Sequence, residues 1–189
     1  ISSPTKTLTM DQEKLKQSFP SDSTASTLSL PVPRLDLDFR MSVSLNPKIS
    51  LGDSGPWGTR NWISFSGGVW TASWGKGTVV EGGQDSQIVN PESLYTYVET
   101  NYLLKTDDEE PAFIAVKTTG WRTGPKSVLE RLFDPEKADG VDASEYSFRL
   151  NVRLETGDQR YAERLNTGMW VASGARRGRE VIYDAYRVV

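Results

Sequence analysis

The chain has 189 residues, of which 10% are aromatic, and it carries a small formal net charge of −3. A chain of this length builds one substantial hydrophobic core, so we expect one folded domain. The basic residues are scattered apart from Arg176, Arg177 and Arg179 near the C-terminus, which gives nucleic acid no electrostatic footprint, and we expect none as a partner. No run of about 18 apolar residues is present, so we expect no membrane association and a soluble protein, cytoplasmic rather than secreted.

Cysteine and histidine are both absent. This excludes disulfides, conventional zinc sites, thiol nucleophiles and Ser-His-Asp triads. No Walker loop and no G-x-G-x-x-G that opens a helix occurs either, so we expect no cofactor and no metal. The acidic run 107–110 is interpreted as a solvated turn rather than a cation site. Any chemistry must therefore come from carboxylates, Arg, Lys, Tyr, hydroxyls and amides.

The first 34 residues are rich in Ser, Thr and Pro, with one short helix-forming piece at 10–19, and are predicted to form an N-terminal arm. From residue 35 onward, hydrophobic alternation and β-forming residues predict strand after strand. In chain order the predicted strands cover 35–41, 62–74, 95–104, 112–118, 146–155, 168–173 and 181–188.

One helix is predicted in the second half of the chain, at 126–133, where Val128, Leu129 and Leu132 share a face and Asp134-Pro135 ends the helix. Many antiparallel strands with a single helix predict an all-β fold. We expect a closed or nearly closed antiparallel β-barrel over residues 35–189, because closure hides the edges of so long a sheet.

The first candidate catalytic residue is Asp85, which follows two pairs of glycines, Gly67-Gly68 and Gly82-Gly83. Glycine pairs let the backbone bend where a side chain would clash, so Asp85 can be aimed into a cavity. The alternative is a pair of hairpin corners with Asp85 as a solvated turn former.

A second candidate lies on the next predicted strand. One face of 95–104 carries Glu99 and Asn101 among aromatic side chains, and the other carries Val98, Thr100, Tyr102 and Leu104. The first face suits either a polar-lined cavity or the solvent side of the sheet. In a hollow barrel, Glu99 would be an acid or base with a raised pKa.

Three further polar residues are candidates. Arg60 lies between tryptophans and can hold an anion or lower the pKa of a carboxylate, or simply cover aromatic surface. Tyr161 and Asn166 can donate to a carbonyl or enolate oxygen, although Tyr161 can equally pack on the barrel rim. Candidate substrate-binding residues are Trp62, Trp70, Gln84, Asn101, Tyr102, Trp121 and Trp170, although such tryptophans are more often core than ligand platform.

Six motifs occur together in a set order: Trp57-Gly58-Thr59-Arg60, Gly67-Gly68, Gly82-Gly83-Gln84-Asp85, Asn101-Tyr102 through Thr106-Asp107-Asp108, Gly120-Trp121-Arg122, and Glu155-Thr156-Gly157 with Arg160-Tyr161 and Leu165-Asn166. In this order and spacing they resemble the domain-of-unknown-function family DUF3237, from about residue 35 to 189. The resemblance implies a barrel related in shape to allene oxide cyclase and the calycins. Family members often have Asp and Arg where this chain has Glu99 and Asn101, so the ligand or chemistry can differ here.

The resemblance further implies a hydrophobic small-molecule partner and a setting in secondary metabolism. Our leading hypothesis is a cofactor-independent isomerase or cyclase acting on an aromatic or polyketide-like molecule, for example by chalcone-isomerase-like ring closure. Asp85 or Glu99 would be the base, Arg60 would stabilise a phenolate or enolate, and Tyr161 with Asn166 would orient the carbonyl. The alternative is a non-catalytic barrel that binds a hydrophobic ligand. A homo-oligomer is left open.

Overall fold

The computed structural model describes residues 9–134 and 136–189, with side chains described from residue 12. It divides into two compact units, one ending at Pro33 and one beginning at Arg34. The first unit contains two short helices, α1 (Thr9–Gln17) and α2 (Thr24–Thr27). Helix α2 begins where the Ser23 hydroxyl accepts a hydrogen bond from the Ala25 amide, a typical N-cap.

The second unit is built from ten strands and two α-helices, α3 (Lys126–Phe133) and α4 (Gln159–Asn166). The strands are β1 (Leu35–Leu45), β2 (Ile49–Asp53), β3 (Thr59–Ala72), β4 (Gly75–Val79), β5 (Gln84–Val89), β6 (Thr96–Thr106), β7 (Phe113–Thr123), β8 (Ser147–Glu155), β9 (Trp170–Arg177) and β10 (Glu180–Val188). Short 3₁₀ turns occupy Gly55–Trp57, Ala138–Gly140 and Ala143–Glu145.

Eight strands close into an antiparallel barrel in the order β1-β10-β9-β8-β7-β6-β5-β3, and β1 pairs with β3 to complete the ring. Strand β4 lies between β3 and β6 beyond the end of β5, and β2 is added outside on β3. The predicted all-β, antiparallel closed barrel is therefore confirmed. Helix α3 is present as predicted, whereas α4 is an additional helix.

Period-two alternation decides which side chains fill the barrel. Along β6, every even-numbered residue from Thr96 to Thr106 is buried, while the odd-numbered residues between them are half-buried or exposed. Strand β8 repeats the pattern, with Phe148 and the alternate residues up to Leu154 buried. Side chains two apart on a strand share one face, so these sets form the interior wall.

The Gly67-Gly68 pair allows the long strand β3 to change partners. Its first half pairs with β5, up to the Ser64–Gln84 register, and its last residues pair with β4 from Val69 onward. Both glycines lie at positive φ, and a Cβ on Gly68 would meet the carbonyl oxygen of Ser42 on β1 at 2.2 Å. Only glycine fits this bend, at which β1 closes the barrel.

The two helices lie at opposite ends of the barrel because they follow strands that run in opposite directions. Helix α4 follows β8 and buries Leu165 at one end, which we call the closed end. Helix α3 follows β7 at the other end, which we call the mouth, and buries Val128, Leu129 and Leu132. In the described ranges, no helix has the length and apolar character needed to cross a membrane.

A buried carboxylate ties the closed end together. Strand β1 has a bulge between Leu37 and Phe39, which turns Asp38 inward although it breaks the alternation. One Asp38 oxygen accepts a hydrogen bond from the Trp170 indole at 2.7 Å, and the other accepts from Arg164 of α4. This carboxylate therefore joins β1, β9 and α4.

Candidate active site in the barrel

The interior of the barrel contains a cavity of about 50 Å³ near the mouth. Apolar side chains form much of its wall, and a small polar group converges on it. The polar and ionisable lining residues are Asp85, Gln87, Thr100, Tyr102, Thr118, Arg122, Arg176 and Tyr183. The cavity continues into a vestibule of about 450 Å³ at the mouth, with which it shares Leu45, Ile63, Gln87 and Arg176. Apolar pockets with a few convergent polar groups are typical ligand sites.

Asp85 lies on β5, lines the cavity and is half-buried. One carboxylate oxygen accepts a hydrogen bond from the Glu99 backbone amide and the other from the Gln87 side-chain amide, both at 3.2 Å. Burial disfavours the charged form and raises the pKa of Asp85 to about 7, although the Glu99 hydrogen bond and the Arg122 charge act in the opposite direction. Asp85 can therefore both accept and return a proton near neutral pH.

Arg122 is a buried cation on the neighbouring part of the wall, and only 5% of its surface is exposed. It donates one hydrogen bond to Thr96 Oγ1 at 3.1 Å and lies 4.9 Å from the centre of the Phe133 ring. Its Nε has no partner, and among the described residues no carboxylate lies within 4.0 Å of it. Burial, followed by the like charge of Arg176, lowers the pKa of Arg122 to about 10. Arg122 thus remains charged at neutral pH and lacks a direct counter-ion.

Two pairs of hydroxyl groups complete the polar wall. The Thr100 and Thr118 hydroxyls are 2.6 Å apart, and the Tyr102 and Tyr183 hydroxyls are 2.5 Å apart. Burial raises the pKa of both tyrosines, so each stays a neutral phenol that can donate a proton in a hydrogen bond. The cavity therefore combines a titratable carboxylate, a fixed cation and neutral hydroxyls. Among the described residues, no three His, Cys, Asp or Glu side chains converge as a metal site requires.

The structure brings only two of the predicted site residues, Asp85 and Tyr102, to the cavity. Glu99 and Asn101 lie on the outer face of β6, and Glu99 forms an exposed ion pair with Lys117 at 3.5 Å. The solvent alternative for this strand face is the one the structure adopts. Glu99 and Asn101 point outward because Val98, Thr100 and Tyr102, at the alternate positions of β6, occupy the inner face.

Arg60 also lies outside the barrel, where its guanidinium donates to the backbone and hydroxyl oxygens of Ser86, each at 3.1 Å. Trp62 and Trp121 are exposed on the outer wall, and Trp121 packs against Tyr97. Gln84 neighbours Asn101 in the β5–β6 register, on the same outer side. Arg60, Trp62 and Gln84 do not reach the cavity because even-numbered positions of β5 and of the first half of β3 point away from it. Trp121 points outward with the other odd-numbered residues of β7.

The remaining predicted residues lie at the closed end. Tyr161 donates to Asp108 at 2.6 Å and packs its ring against Trp74. The Asn166 side-chain oxygen accepts a hydrogen bond from the Thr156 amide, and the side-chain nitrogen donates one to the Thr156 carbonyl oxygen. Trp70 and Trp170 are buried in the core. Helix α4 carries Tyr161 and Asn166 away from the mouth, so these residues stabilise the barrel end rather than face Asp85.

A family model described as "Protein of unknown function (DUF3237)" matches residues 33–188 of the chain. The chain belongs to the DUF3237 family. The match covers the whole barrel and confirms the resemblance inferred from the ordered motifs.

Curated relatives of this DUF3237 protein are similar along most of their length. A UPF0311 protein of Rhodopseudomonas palustris is 31% identical over 151 residues, which are 80% of this chain and 94% of the relative. A UPF0311 protein of Bradyrhizobium diazoefficiens is 31% identical over 159 residues, covering 83% of this chain and 99% of the relative.

Solved structures share the DUF3237 barrel. A β-barrel-like protein of Acinetobacter baumannii is 34% identical, with a TM-score of 0.71 over 85% of this chain and 99% of the other. The Rhodopseudomonas palustris protein gives a TM-score of 0.75 at 28% identity over 85% of this chain and 100% of the other. An enzyme from Penicillium herquei gives a TM-score of 0.60 at 15% identity, covering 86% and 99% of the two chains, and so shares the fold.

Several cavity residues of the DUF3237 barrel are absent from the sequence-based prediction, above all Arg122, Arg176, Gln87 and Tyr183. Arg122 was detectable, because it continues the alternate positions Val116, Thr118 and Gly120 into a charged residue on a buried face. An isolated charge in a row of otherwise uncharged, buried positions indicates a site. No comparable sequence pattern marks Arg176 and Tyr183. Whether their side chains point into the barrel depends on how β9 and β10 close the ring.

The raised pKa of Asp85 predicts that stability depends on pH. The folded state holds this proton more tightly than the unfolded state, so the contribution to stability is present at low pH and is lost as the pH rises from about 4 to about 7. Asp85→Asn keeps the site neutral at every pH. We expect the free energy of unfolding of the variant to exceed that of the wild type by about 1–3 kcal/mol at pH 8 and by little at pH 4.5. Partial access of Asp85 to solvent keeps the difference at pH 8 within this range.

Urea denaturation at the two pH values measures this difference. An equal difference in unfolding free energy at pH 4.5 and pH 8 would show that Asp85 is not held in a desolvated site.

Proposed function

We propose that this DUF3237 protein is a cofactor-independent isomerase or cyclase that acts on an aromatic or polyketide-like small molecule in the barrel cavity. The observation that supports it is the presence in one cavity of Asp85, whose pKa is raised to about 7, and the buried Arg122, which forms no ion pair with any described carboxylate. A general base works best with a pKa near the working pH, and a buried cation favours negative charge that develops on oxygen.

An intramolecular oxa-Michael ring closure uses both groups. The Asp85 carboxylate takes the proton of a substrate phenol, and the phenolate oxygen adds to the β-carbon of a conjugated ketone. The carbon–carbon double bond becomes an enolate, whose oxygen is stabilised by Arg122. The Asp85 carboxylic acid then returns the proton to the α-carbon. Substrate and product are isomers, so the step balances without any co-reactant. Arg122 takes the role that the sequence had assigned to Arg60.

The size of the site restricts how such a substrate is placed. The cavity of about 50 Å³ admits only the reacting end of a flat molecule, and the vestibule of about 450 Å³ takes the rest. The hydroxyls of Thr100, Thr118 and Tyr183 lie on the cavity wall, where they can orient a ketone or phenol. The Penicillium herquei enzyme supports the proposal by fold analogy, which is a weaker argument than the site itself.

The second candidate function is a non-catalytic carrier for a hydrophobic molecule. It is favoured by the largely apolar wall, which includes Val43, Phe65, Val98 and Phe148. A carrier needs the cavity but has no use for a carboxylate with a raised pKa, since burial of such a group costs stability.

The experiment is a turnover assay in buffer without cofactors, with 2′-hydroxychalcone and a panel of related phenolic ketones. We expect conversion to one enantiomer of the ring-closed product, measured by chiral chromatography after subtraction of the uncatalysed rate. Because the basic form of Asp85 is required, kcat/KM should rise with pH and reach half its maximum near pH 7.

Calorimetry on the same panel separates the two candidate functions. Binding without conversion across the panel favours the carrier, and racemic product at the uncatalysed rate contradicts the proposed enzyme.

A further inference from the structure

The vestibule at the mouth is basic, in contrast to the protein's net charge of −3. Lys48, Arg176 and Arg179 line it, and no acidic side chain of the described residues does. Within the described part of the chain, none of the three forms an ion pair within 4.0 Å. Asp139, which accepts a hydrogen bond from the Gly178 amide, attracts Arg176 without forming an ion pair within 4.0 Å. The cations are therefore left available to a ligand.

Arg176 lies where the vestibule joins the cavity, since it lines both. Its Nε donates to the carbonyl oxygen of Gly178 at 3.2 Å, which fixes the guanidinium by one edge. Among the described residues, its two terminal nitrogens make no hydrogen bond to protein. Burial lowers the pKa of Arg176, so an anionic partner would recover the lost solvation. A guanidinium held in this way presents two parallel donors, the geometry that binds a carboxylate.

The apolar side chains of the vestibule restrict the rest of the ligand. Leu45, Pro47, Ile63 and Phe133 form its wall beside the cations. Ile63 and Leu45 continue directly into the cavity. A molecule that extends from Asp85 to the mouth therefore contacts hydrophobic surface along its body and positive charge at its outer end.

We infer that the substrate is an acid, with a flat hydrophobic body and a carboxylate that binds Arg176, supported by Arg179 and Lys48. The inference rests on the proposed function for the position of the reacting end, but it makes its own claim about recognition. Charge-assisted hydrogen bonds from a guanidinium are about twice as strong as neutral ones, so the acid should be strongly preferred over a neutral analogue.

The test compares naphthalene-2-carboxylate with naphthalene-2-carboxamide by isothermal titration calorimetry at pH 7. These probes have the same shape and differ in charge. We expect the carboxylate to bind the wild type about tenfold more tightly or better. Arg176→Gln should remove that preference and leave amide binding within about twofold. The matched control, Arg153→Gln, removes an exposed arginine of the outer wall and should change neither affinity.

The outcomes separate this inference from the proposed function. Equal affinity of the two probes for the wild type overturns the acid preference and leaves the ring-closure proposal standing. Loss of binding of both probes in Arg176→Gln shows a structural role for Arg176 and also overturns the inference. If neither probe binds the wild type, the acid inference is overturned, and the ring-closure proposal is decided by the turnover assay alone. If the preference is found but no phenolic ketone is converted, only the proposed reaction is contradicted.

Discussion

Asp85→Asn is expected to lower kcat of the proposed reaction by about 10²- to 10⁴-fold while ligand affinity changes by less than about tenfold. The amide has nearly the shape of the carboxylate and can still accept from the Glu99 amide, but it cannot take a proton. Catalysis and binding should therefore separate in this variant. Single-turnover assays with the converted phenolic ketone measure catalysis, and calorimetry measures ligand binding.

Glu99→Gln provides the matched control. Glu99 is adjacent to Asp85 through its own backbone amide, yet its side chain lies on the outer wall with Lys117. This variant removes a carboxylate from the same region without touching the cavity, and it should keep the wild-type rate. If Glu99→Gln loses turnover and Asp85→Asn does not, the assignment of the base is wrong.

Asp38→Ala is expected to destabilise the barrel by about 2–4 kcal/mol and to lower Tm by roughly 5–15 °C. The substitution leaves the buried Trp170 indole without an acceptor and removes the carboxylate that holds Arg164 of α4. A buried donor that loses its partner keeps its full desolvation cost. Thermal and urea denaturation followed by circular dichroism measure the loss.

The control for this prediction is Asp184→Ala, because Asp184 also pairs with an arginine of β1. Arg40 binds it through two hydrogen bonds of 2.6 and 2.7 Å on the outer surface, where 64% of the Arg40 side chain is exposed. A pair with one well-exposed partner contributes on the order of 1 kcal/mol, so this variant should lose clearly less stability than Asp38→Ala. Similar losses in the two variants would mean that burial of Asp38 adds nothing to the stability of the closed end.

The barrel could be predicted from the sequence because its strands alternate so regularly. Strands with a long alternating run, such as β6 and β8, can be predicted from their own residues alone. The short β4 contains two glycines and reads as a turn; it forms a strand because β3 and β6 pair with it on both sides. Helix α4 was missed because only three of its eight residues are apolar, and the closed end that it covers is built from distant strands.

The site was less predictable than the fold, because the sequence does not show which face of each strand lines the barrel interior. Alternation divides β6 into two faces but does not say which one is interior, and the polar face with Glu99 proved to be the outer one. Asp85 was found because the glycines before it indicate an unusual backbone path. Arg122 could have been found from its place in the alternating row of β7, but only the closed ring shows that its Nε has no hydrogen-bond partner among the described residues.

The placement of α3 and α4 at opposite ends has a consequence for how this barrel can change. The Asp38 network holds the closed end, whereas the proposed ligand contacts lie on the hairpin between β9 and β10 and on side chains at the mouth. The residues that stabilise the closed end are therefore different from those proposed to select the ligand. A combinatorial library confined to Lys48, Phe133 and Arg179 should therefore yield barrels with new ligand preferences at little loss of yield, which makes the scaffold readily evolvable.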